Sequence, residues 1–425
     1  MSQDNFGKYL LLKDQYGFVY KGVDFSKILC SEFLLITFRN ADFKKIKLYK
    51  LIVRLFKTRR YEELYRIAVD NNVIMTSCYN RPDYNELIKA CLNGVKNSKH
   101  VLVGQVPDEY CLPSIKAIYQ AFFYVFIKNH RLKTSFKERT CIFCYIIFYT
   151  NVFKTLELLF KNVDLSKKKY IAFNSSYDIE SLLTIFFKNK GMITYHLSHG
   201  VSYINYMISR PLDNVNGTNI NADYVLVWGQ SSKDDLINNH NLNENRILVA
   251  GNPKYPAKSI SVKNTFKKGV VFLGRDIYDT QNIEILNILG RVSPVLDINF
   301  EVKPHPRSDL NRLREVADKY SIKMLDTKLT MNELFKSENF DFSICYNTTA
   351  YYEAMYYNLI CFRYGKGENE NYMGLDDKFY DESSFSDLLK RYQQSDTDEL
   401  NTSIRNLLTD VLGMGINRYE QILQK

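Results

Sequence analysis

From about residue 222 onward, short apolar runs of β-favouring residues alternate with segments of helical periodicity. This alternation is typical of βα units built around a parallel sheet. It predicts a Rossmann-like α/β domain in the second half of the chain. The predicted strands span residues 224–228, 270–273, 300–303, 322–325, 340–345 and 359–363.

The first half of the chain is less regular, but three apolar runs, at residues 101–103, 170–173 and 193–197, indicate buried strands. A chain of 425 residues with 45% hydrophobic composition is long enough for two cores. We therefore expect two Rossmann-like domains that face a cleft. The predicted boundaries are 1–252 for an acceptor-binding domain with insertions, 253–268 for a linker, 269–400 for a nucleotide-binding domain, and 401–425 for a C-terminal helix that could return to the first domain.

Charge is distributed unevenly along the chain. Residues 1–200 contain 31 Lys and Arg against 17 Asp and Glu, a net charge of +14, whereas the rest is net acidic. This excess predicts an anionic partner for the first domain, either acidic lipid head groups or an acidic glycan. Nucleic acid is not expected, because no nucleic-acid-binding motif accompanies the charge. Residues 44–66 interleave basic and apolar side chains, which fits either an interfacial helix on anionic lipid or a solvated helix with one core-facing stripe.

The location of the protein is also predicted from composition. The first residues, MSQDNFGK, contain no apolar core of a secretory signal, so we expect a cytoplasmic protein held peripherally at the inner face of the membrane. The apolar run at 141–149 is too short to span a bilayer and predicts a buried helix. We expect the eight cysteines to be buried free thiols. The D-x-D at 396–398 predicts a helix N-terminus, so neither a metal nor another cofactor is inferred.

The strongest chemical motif is Lys303-Pro304-His305-Pro306-Arg307, at the predicted end of a strand. Ligands of open α/β sheets bind outside the carboxyl ends of the strands. Three side chains that can donate to phosphate oxygens within five residues predict an anion site there.

Two further strand ends carry candidate donor-binding residues. Asn347, Thr348 and Thr349 follow the strand at 340–345 and begin a helical segment, where hydroxyls and free backbone N–H groups can hold a phosphate. Glu353, one turn later, could bond ribose hydroxyls. Gly274 and Arg275 follow the strand at 270–273, and a glycine there allows a phosphate to approach the backbone.

Candidates for a general base lie in the first half. His199 follows the strand at 193–197 and should face the cleft, whereas His196 within that strand should be a packed core residue. Asp108 and Glu109, in a predicted loop, are the alternative base, although a solvated acidic loop explains them better.

Six segments, taken in order, resemble GT-B glycosyltransferases of bacterial capsule, O-antigen and lipo-oligosaccharide synthesis. They are SHGVS, ADYVLVWGQSSKDDL, ILVAGNPKYP, VVFLGR, KPHPR and CYNTTAYYEA, and the likeness covers about residues 190–365. The pair His305-Pro306, followed by Thr348 and Thr349, is similar to the residues that hold the donor phosphate in sialyl-, polysialyl- and Kdo-transferases. Their first-domain acidic motif ends in Gly, whereas here Asp108-Glu109 precedes Tyr110.

The resemblance implies a metal-independent glycosyltransferase that moves a sugar from a nucleotide-activated donor to a surface glycan or glycolipid acceptor. A CMP-sugar such as sialic acid or Kdo is the favoured donor. His199-Gly200 instead resembles the His-Gly of CDP-glycerol-type polyol-phosphate transferases, so that activity stays an alternative. Two further alternatives are a nucleotide-sugar 2-epimerase, which shares the two-domain architecture but gives no reason for a first half with a net charge of +14, and a non-catalytic partner in glycan assembly.

Overall fold

The computed structural model describes residues 3–129, 134–198, 200–201, 217–337, 339–366 and 373–424. Within them, the chain forms two six-stranded parallel sheets and two small antiparallel pairs. The strands of the first half are β1 (Val19–Tyr20), β2 (Val23–Asp24), β3 (Lys57–Arg59), β4 (Val73–Ser77), β5 (Ser98–Leu102), β6 (Asp108–Tyr110), β7 (Lys169–Ala172), β8 (Ile193–Leu197), β9 (Tyr224–Val227) and β10 (Ile247–Val249).

The first large sheet has the order β10-β9-β8-β7-β4-β5. The chain runs outward from β4 to β5 and then returns to the other side of β4, so the strand order reverses between β4 and β7. Helices cover the sheet. They are α1 (Gln3–Gln15), α2 (Cys30–Thr37), α3 (Asn40–Lys45), α4 (Leu48–Arg54), α5 (Glu62–Asp70), α6 (Pro82–Leu92), α7 (Ile115–Phe122), α8 (Phe136–Leu159), α9 (Asp178–Asn189) and α10 (Gln230–His240), and a π-helical turn, Phe123–Lys128, continues α7.

Helix α8 is the central helix of the first domain. It begins with a capping box, in which Ser135 and Glu138 each bond the backbone N–H of the other. Among the described residues, α8 alone has the length and hydropathy to cross a membrane, but 61% of its most apolar window is buried inside the protein. It packs against α2, α4, α7 and α9. The run at 141–149 is therefore a core helix, as predicted.

The second large sheet has the order β13-β12-β11-β14-β15-β16. This is the order of a dinucleotide-binding Rossmann sheet, with its reversal between β11 and β14. Its strands are β11 (Lys268–Phe272), β12 (Asn299–Lys303), β13 (Lys323–Met324), β14 (Phe342–Cys345), β15 (Ile360–Tyr364) and β16 (Lys378–Phe379). Its helices are α11 (Asp279–Leu296), α12 (Leu310–Lys319), α13 (Met331–Ser337), α14 (Ala350–Tyr356) and α15 (Glu382–Gln393). The expected pair of Rossmann-like domains, the GT-B arrangement, is confirmed.

The last two helices, α16 (Thr397–Leu412) and α17 (Tyr419–Gln424), pack against the first domain. Asp396 caps α16 by accepting from the N–H groups of Asp398 and Glu399, so the D-x-D is a helix N-terminus, as predicted. Helix α16 lies against α10, and Gln424 at the end of α17 donates to the carbonyl of Gly94 at 2.8 Å. The expected return of the C-terminus to the first domain is thus confirmed.

Strand β4, an internal strand of the first sheet, was not predicted, although its sequence, VIMTS, is buried throughout. Two local predictions were wrong. Residues 44–66 do not form one helix, because β3 interrupts them between α4 and α5. Asp108 and Glu109 lie in strand β6, which pairs with β3, and not in a loop. Residues 250–267, which contain most of the predicted linker, form neither helix nor strand. The domain boundaries themselves stay predictions.

Candidate functional site

Three strands of the second sheet end side by side. Phe272, the last residue of β11, is in register with Lys303 at the end of β12 and with Cys345 at the end of β14. The loops that follow these strands therefore meet at one edge, at the point where the strand order reverses. This is where open α/β sheets bind ligands.

Gly274 allows these loops to pack closely. Its N–H donates to Oδ1 of Asn282 at 2.9 Å, and its carbonyl accepts from the Asn282 amide at 3.0 Å and from the Ser308 hydroxyl at 3.2 Å. A Cβ atom at this position would lie 2.9 Å from the Tyr278 ring and 3.0 Å from the Tyr346 carbonyl. A glycine is thus required for packing. Asn282, which sequence reasoning missed, fixes the loop.

His305 lies half-buried among cationic side chains. Its Nδ1 accepts a hydrogen bond from the backbone N–H of Arg307 at 3.2 Å. Burial lowers the pKa of His305, and the charges of Arg275 and Arg307 lower it further. The imidazole is therefore neutral at pH 7, with its proton on Nε2, where it can donate.

Lys303 belongs to the same edge. Burial lowers its pKa, and its ammonium group donates to the carbonyl of Thr327 at 3.1 Å. Pro306 follows His305 in an irregular loop. Lys303 and Arg275 give this edge of the sheet the positive charge that a phosphate needs.

Asn347 adds an unsatisfied amide. Its backbone adopts the left-handed conformation, with φ of 46°, in the first turn after β14. Both polar atoms of its side chain are buried and have no hydrogen-bond partner among the described residues. Such groups cost free energy in a native structure, and a bound polar ligand would supply the hydrogen bonds that the protein does not. The strain at φ above zero fits a functional position.

The two threonines differ in their contacts. The Thr348 hydroxyl accepts from the N–H of Ala350 at 3.3 Å. Thr349 immediately precedes α14, but its side chain makes no capping hydrogen bond. Simple helix capping thus explains Thr348 better than it explains Thr349.

Glu353 lies at the seam between the domains. Burial raises its pKa, while the charge of Lys254 and a hydrogen bond with Tyr255 act in the opposite direction. Lys254 also lies 3.1 Å from Glu86, on α6 of the first domain. Lys254 and Tyr255 were missed as site residues, although they belong to the segment ILVAGNPKYP, which the family resemblance includes.

The structure shows less about the predicted bases of the first domain. His199 lies outside the described residues. Asp108 is 2.9 Å from Lys57, and Glu109 is 3.5 Å from Arg60, so both carboxylates are already in ion pairs. His196 is buried, as predicted, and its Nδ1 accepts from the Ser175 N–H at 3.1 Å.

The carboxyl edge of the first sheet contains two acidic residues that sequence reasoning missed. Glu180 is buried and accepts from the N–H groups of Phe173 and Cys78, at 2.8 and 3.2 Å, which joins the ends of β7 and β4. Burial raises its pKa to about 8. The available signal was the polar segment NSSYDIES directly after β7.

Asp178, in the same segment, begins α9 with φ of 58°, a conformation that residues other than glycine adopt rarely. Burial raises its pKa. A hydrogen bond from the Ser31 side chain and the charges of three arginines, Arg59, Arg54 and Arg39, oppose that shift.

No protein-family model matches the sequence, and no curated protein matches it either. Several solved structures are similar. They include UDP-GlcNAc 2-epimerase from Methanocaldococcus jannaschii (TM-score 0.45, 10% identity, 83% of this chain and 98% of that one) and S. aureus MnaA with UDP (0.44, 14%, 82% and 94%). TarM matches with a TM-score of 0.41 and 13% identity over 64% of this chain, which spans 56% of the TarM chain. At such scores, none of these proteins assigns an activity to this chain.

Proposed function

We propose that this chain is a GT-B glycosyltransferase whose second domain binds a nucleotide-activated sugar. The observation that carries the proposal is the register of Phe272 with Lys303 and Cys345, which brings three polar loops to one edge of the sheet. The basic first domain would hold the acceptor, a bacterial surface glycan or glycolipid. A CMP-sugar is the donor that the likeness of His305-Pro306 and Thr348-Thr349 to sialyl- and Kdo-transferases favours.

In this proposal, the donor phosphate lies against Arg275, Lys303 and His305. Charge-assisted and neutral N–H donors at a fixed position stabilise the negative charge that develops on the leaving phosphate. The amide of Asn347 and the hydroxyls of Thr348 and Thr349 complete the cradle. Gly274 keeps the loops close, and Glu353 is within the adjacent seam, where a ribose or sugar hydroxyl could reach it.

Transfer also requires removal of a proton from the acceptor hydroxyl. His199 is the first candidate for this base, and Asp108 or Glu109 is the alternative. Because Asp108 and Glu109 are held by Lys57 and Arg60, either would first have to leave its ion pair.

Nucleotide binding tests the proposal directly. A thermal-shift panel of CMP, CDP, UDP and GDP should identify one nucleotide that stabilises the protein, by about 2.7 kcal/mol at a concentration 100 times its dissociation constant. Titration calorimetry with that nucleotide should show that Arg275→Ala weakens binding about 30-fold, the equivalent of a lost charge-assisted hydrogen bond of ~2 kcal/mol.

Arg314→Ala is the matched control, because Arg314 is exposed on α12 of the same domain. The control should bind like the wild type. The proposal fails if none of the nucleotides binds, or if Arg275→Ala and Arg314→Ala bind equally well.

A further inference from the structure

Helix α7 exposes three of its large apolar side chains and buries its two alanines. Ile115 is 85% exposed, Tyr119 70% and Phe122 48%, whereas Ala117 and Ala121 are buried. Residues spaced by four and three positions lie on one face of a helix. Ile115, Tyr119 and Phe122 therefore form an apolar row that is turned to solvent, which is unusual for a surface helix.

Helix α4 also exposes apolar side chains. Tyr49 and Ile52 are exposed, whereas Leu51 is the only residue of this helix that is buried. Both α4 and α7 pack against α8 on the outside of the first domain.

The segment between β6 and α7 joins the two helices. The N–H of Cys111 donates to the carbonyl of Phe56 at 2.9 Å, and Leu112, which follows, is 88% exposed. An open apolar depression of about 490 Å³ lies here, lined by Val53, Phe56, Tyr110, Cys111 and Leu112. We call α4, residues 110–112 and α7 together the apolar face.

Lysines predominate on the helices of the apolar face. Neither α4 nor α7 contains an Asp or a Glu. Besides Lys45, which pairs with Asp42, four exposed lysines lie on these helices or shortly before α4, namely Lys44, Lys47, Lys50 and Lys116. The nearby carboxylates of Asp108 and Glu109 are paired with Lys57 and Arg60. An exposed apolar surface of this kind marks an interaction site. Lysines next to it favour a partner that has an apolar interior and an anionic surface.

We propose that the apolar face docks on an anionic lipid bilayer. Ile115, Tyr119 and Leu112 enter the boundary between head groups and acyl chains, and the lysines contact lipid phosphates. The docking surface thus differs from the single helix that residues 44–66 suggested. Half of this surface lies on α7, for which the sequence predicted no binding role. The proposal does not depend on the enzymatic activity.

Vesicle sedimentation with the full chain tests the docking. At low salt, the wild type should sediment with vesicles of phosphatidylglycerol and phosphatidylcholine, should be released as the Debye length shortens, and should ignore pure phosphatidylcholine. A variant with Ile115→Ser, Tyr119→Ser and Leu112→Ser should bind the anionic vesicles at least about tenfold more weakly, because the apolar area that enters the lipid is lost.

The control variant carries Ile277→Ser and Val295→Ser, two exposed apolar residues of the second domain. It should sediment like the wild type. A second variant, in which Lys44, Lys47, Lys50 and Lys116 become Gln, should lose the preference for anionic lipid and gives an independent result if the serine variant is unstable.

The proposal is overturned if the wild type does not sediment with anionic vesicles, or if it binds neutral and anionic vesicles equally. It is also overturned if the serine variant and the glutamine variant both sediment like the wild type. If size-exclusion chromatography shows a dimer that the serine variant abolishes, and vesicles are not bound, the apolar face belongs to a second copy of the chain instead.

Discussion

Nδ1 of His305 accepts a hydrogen bond from the N–H of Arg307 at 3.2 Å, which leaves Nε2 as the nitrogen that donates. Burial and the charge of Arg275 lower the pKa of His305, so the ring is neutral at pH 7 and above. Nucleotide affinity should therefore stay constant between about pH 7 and 8.5. His305→Ala should lose ~2 kcal/mol of binding, and His305→Gln should keep part of it through its amide N–H.

Calorimetry at three pH values would check this. A steady loss of wild-type affinity as the pH rises above 7 would show that the ring binds as an imidazolium, contrary to the assignment.

Asn347 allows backbone strain and ligand binding to be separated. Asn347→Gly removes the amide but accepts a φ of 46°, whereas Asn347→Ala removes the amide and keeps the strain. If the amide binds the donor, both variants should lose nucleotide affinity to a similar extent. Only the alanine variant should also lose stability, by about 1 kcal/mol in urea unfolding. Normal nucleotide binding by Asn347→Gly would remove Asn347 from the site.

The buried ion pair of Arg363 and Asp377 should be essential for the second domain. Nε of Arg363 lies 2.6 Å from Oδ1 of Asp377, and both side chains are almost completely buried. Burial raises the pKa of Asp377 to about 6 in spite of Arg363. Arg363→Met leaves that carboxyl buried and unpaired, and it should cost roughly 3–5 kcal/mol of unfolding free energy.

A surface pair in the same domain, Arg391 with Asp376 at 2.6 Å, provides the comparison. Because half of the Arg391 side chain is exposed, Arg391→Met should cost only about 0–1 kcal/mol. Equal losses for the two variants in denaturant titrations would contradict the argument from burial.

Glu180 should make stability depend on pH. Its folded-state pKa of about 8 is far above the ordinary 4.5, because burial disfavours the carboxylate. The contribution of the protonated group to stability is complete below about pH 4.5 and is lost as the pH rises through 8. Glu180→Gln, which cannot ionise, should flatten the decline in unfolding free energy between these values. Glu315→Gln, on the exposed side of α12, is the control and should leave the slope unchanged.

The identity of the base can be decided by comparing turnover with donor binding. His199→Ala should bind the donor nucleotide normally and lose about 10²–10⁴ in turnover. Asp108→Asn and Glu109→Gln should then keep most of the activity, since these carboxylates are engaged with Lys57 and Arg60. If either carboxylate variant abolishes transfer while His199→Ala retains it, the roles are exchanged.

The sequence by itself determined most strands of the second domain and the residues at their carboxyl ends, but not β16 or α15. Alternating apolar runs and helical periodicity identified β11, β12, β14 and β15 to within two residues at each end, because period and strand length are local properties. The same reasoning placed Lys303 at the end of a strand and His305 and Asn347 two residues after strands. It failed at β4, whose short run VIMTS lies between two helical segments and does not alternate between apolar and polar residues over its length.

Only the tertiary structure decided which loops meet. The register of Phe272 with Lys303 and Cys345 depends on contacts between residues about 30 and 70 positions apart, which no local pattern specifies. Burial likewise determined that Glu180 has a raised pKa and that the amide of Asn347 is unsatisfied. The exposure of Ile115 and Tyr119 depends on the tertiary structure for the same reason, because packing against α8 decides which side of α7 is turned to solvent.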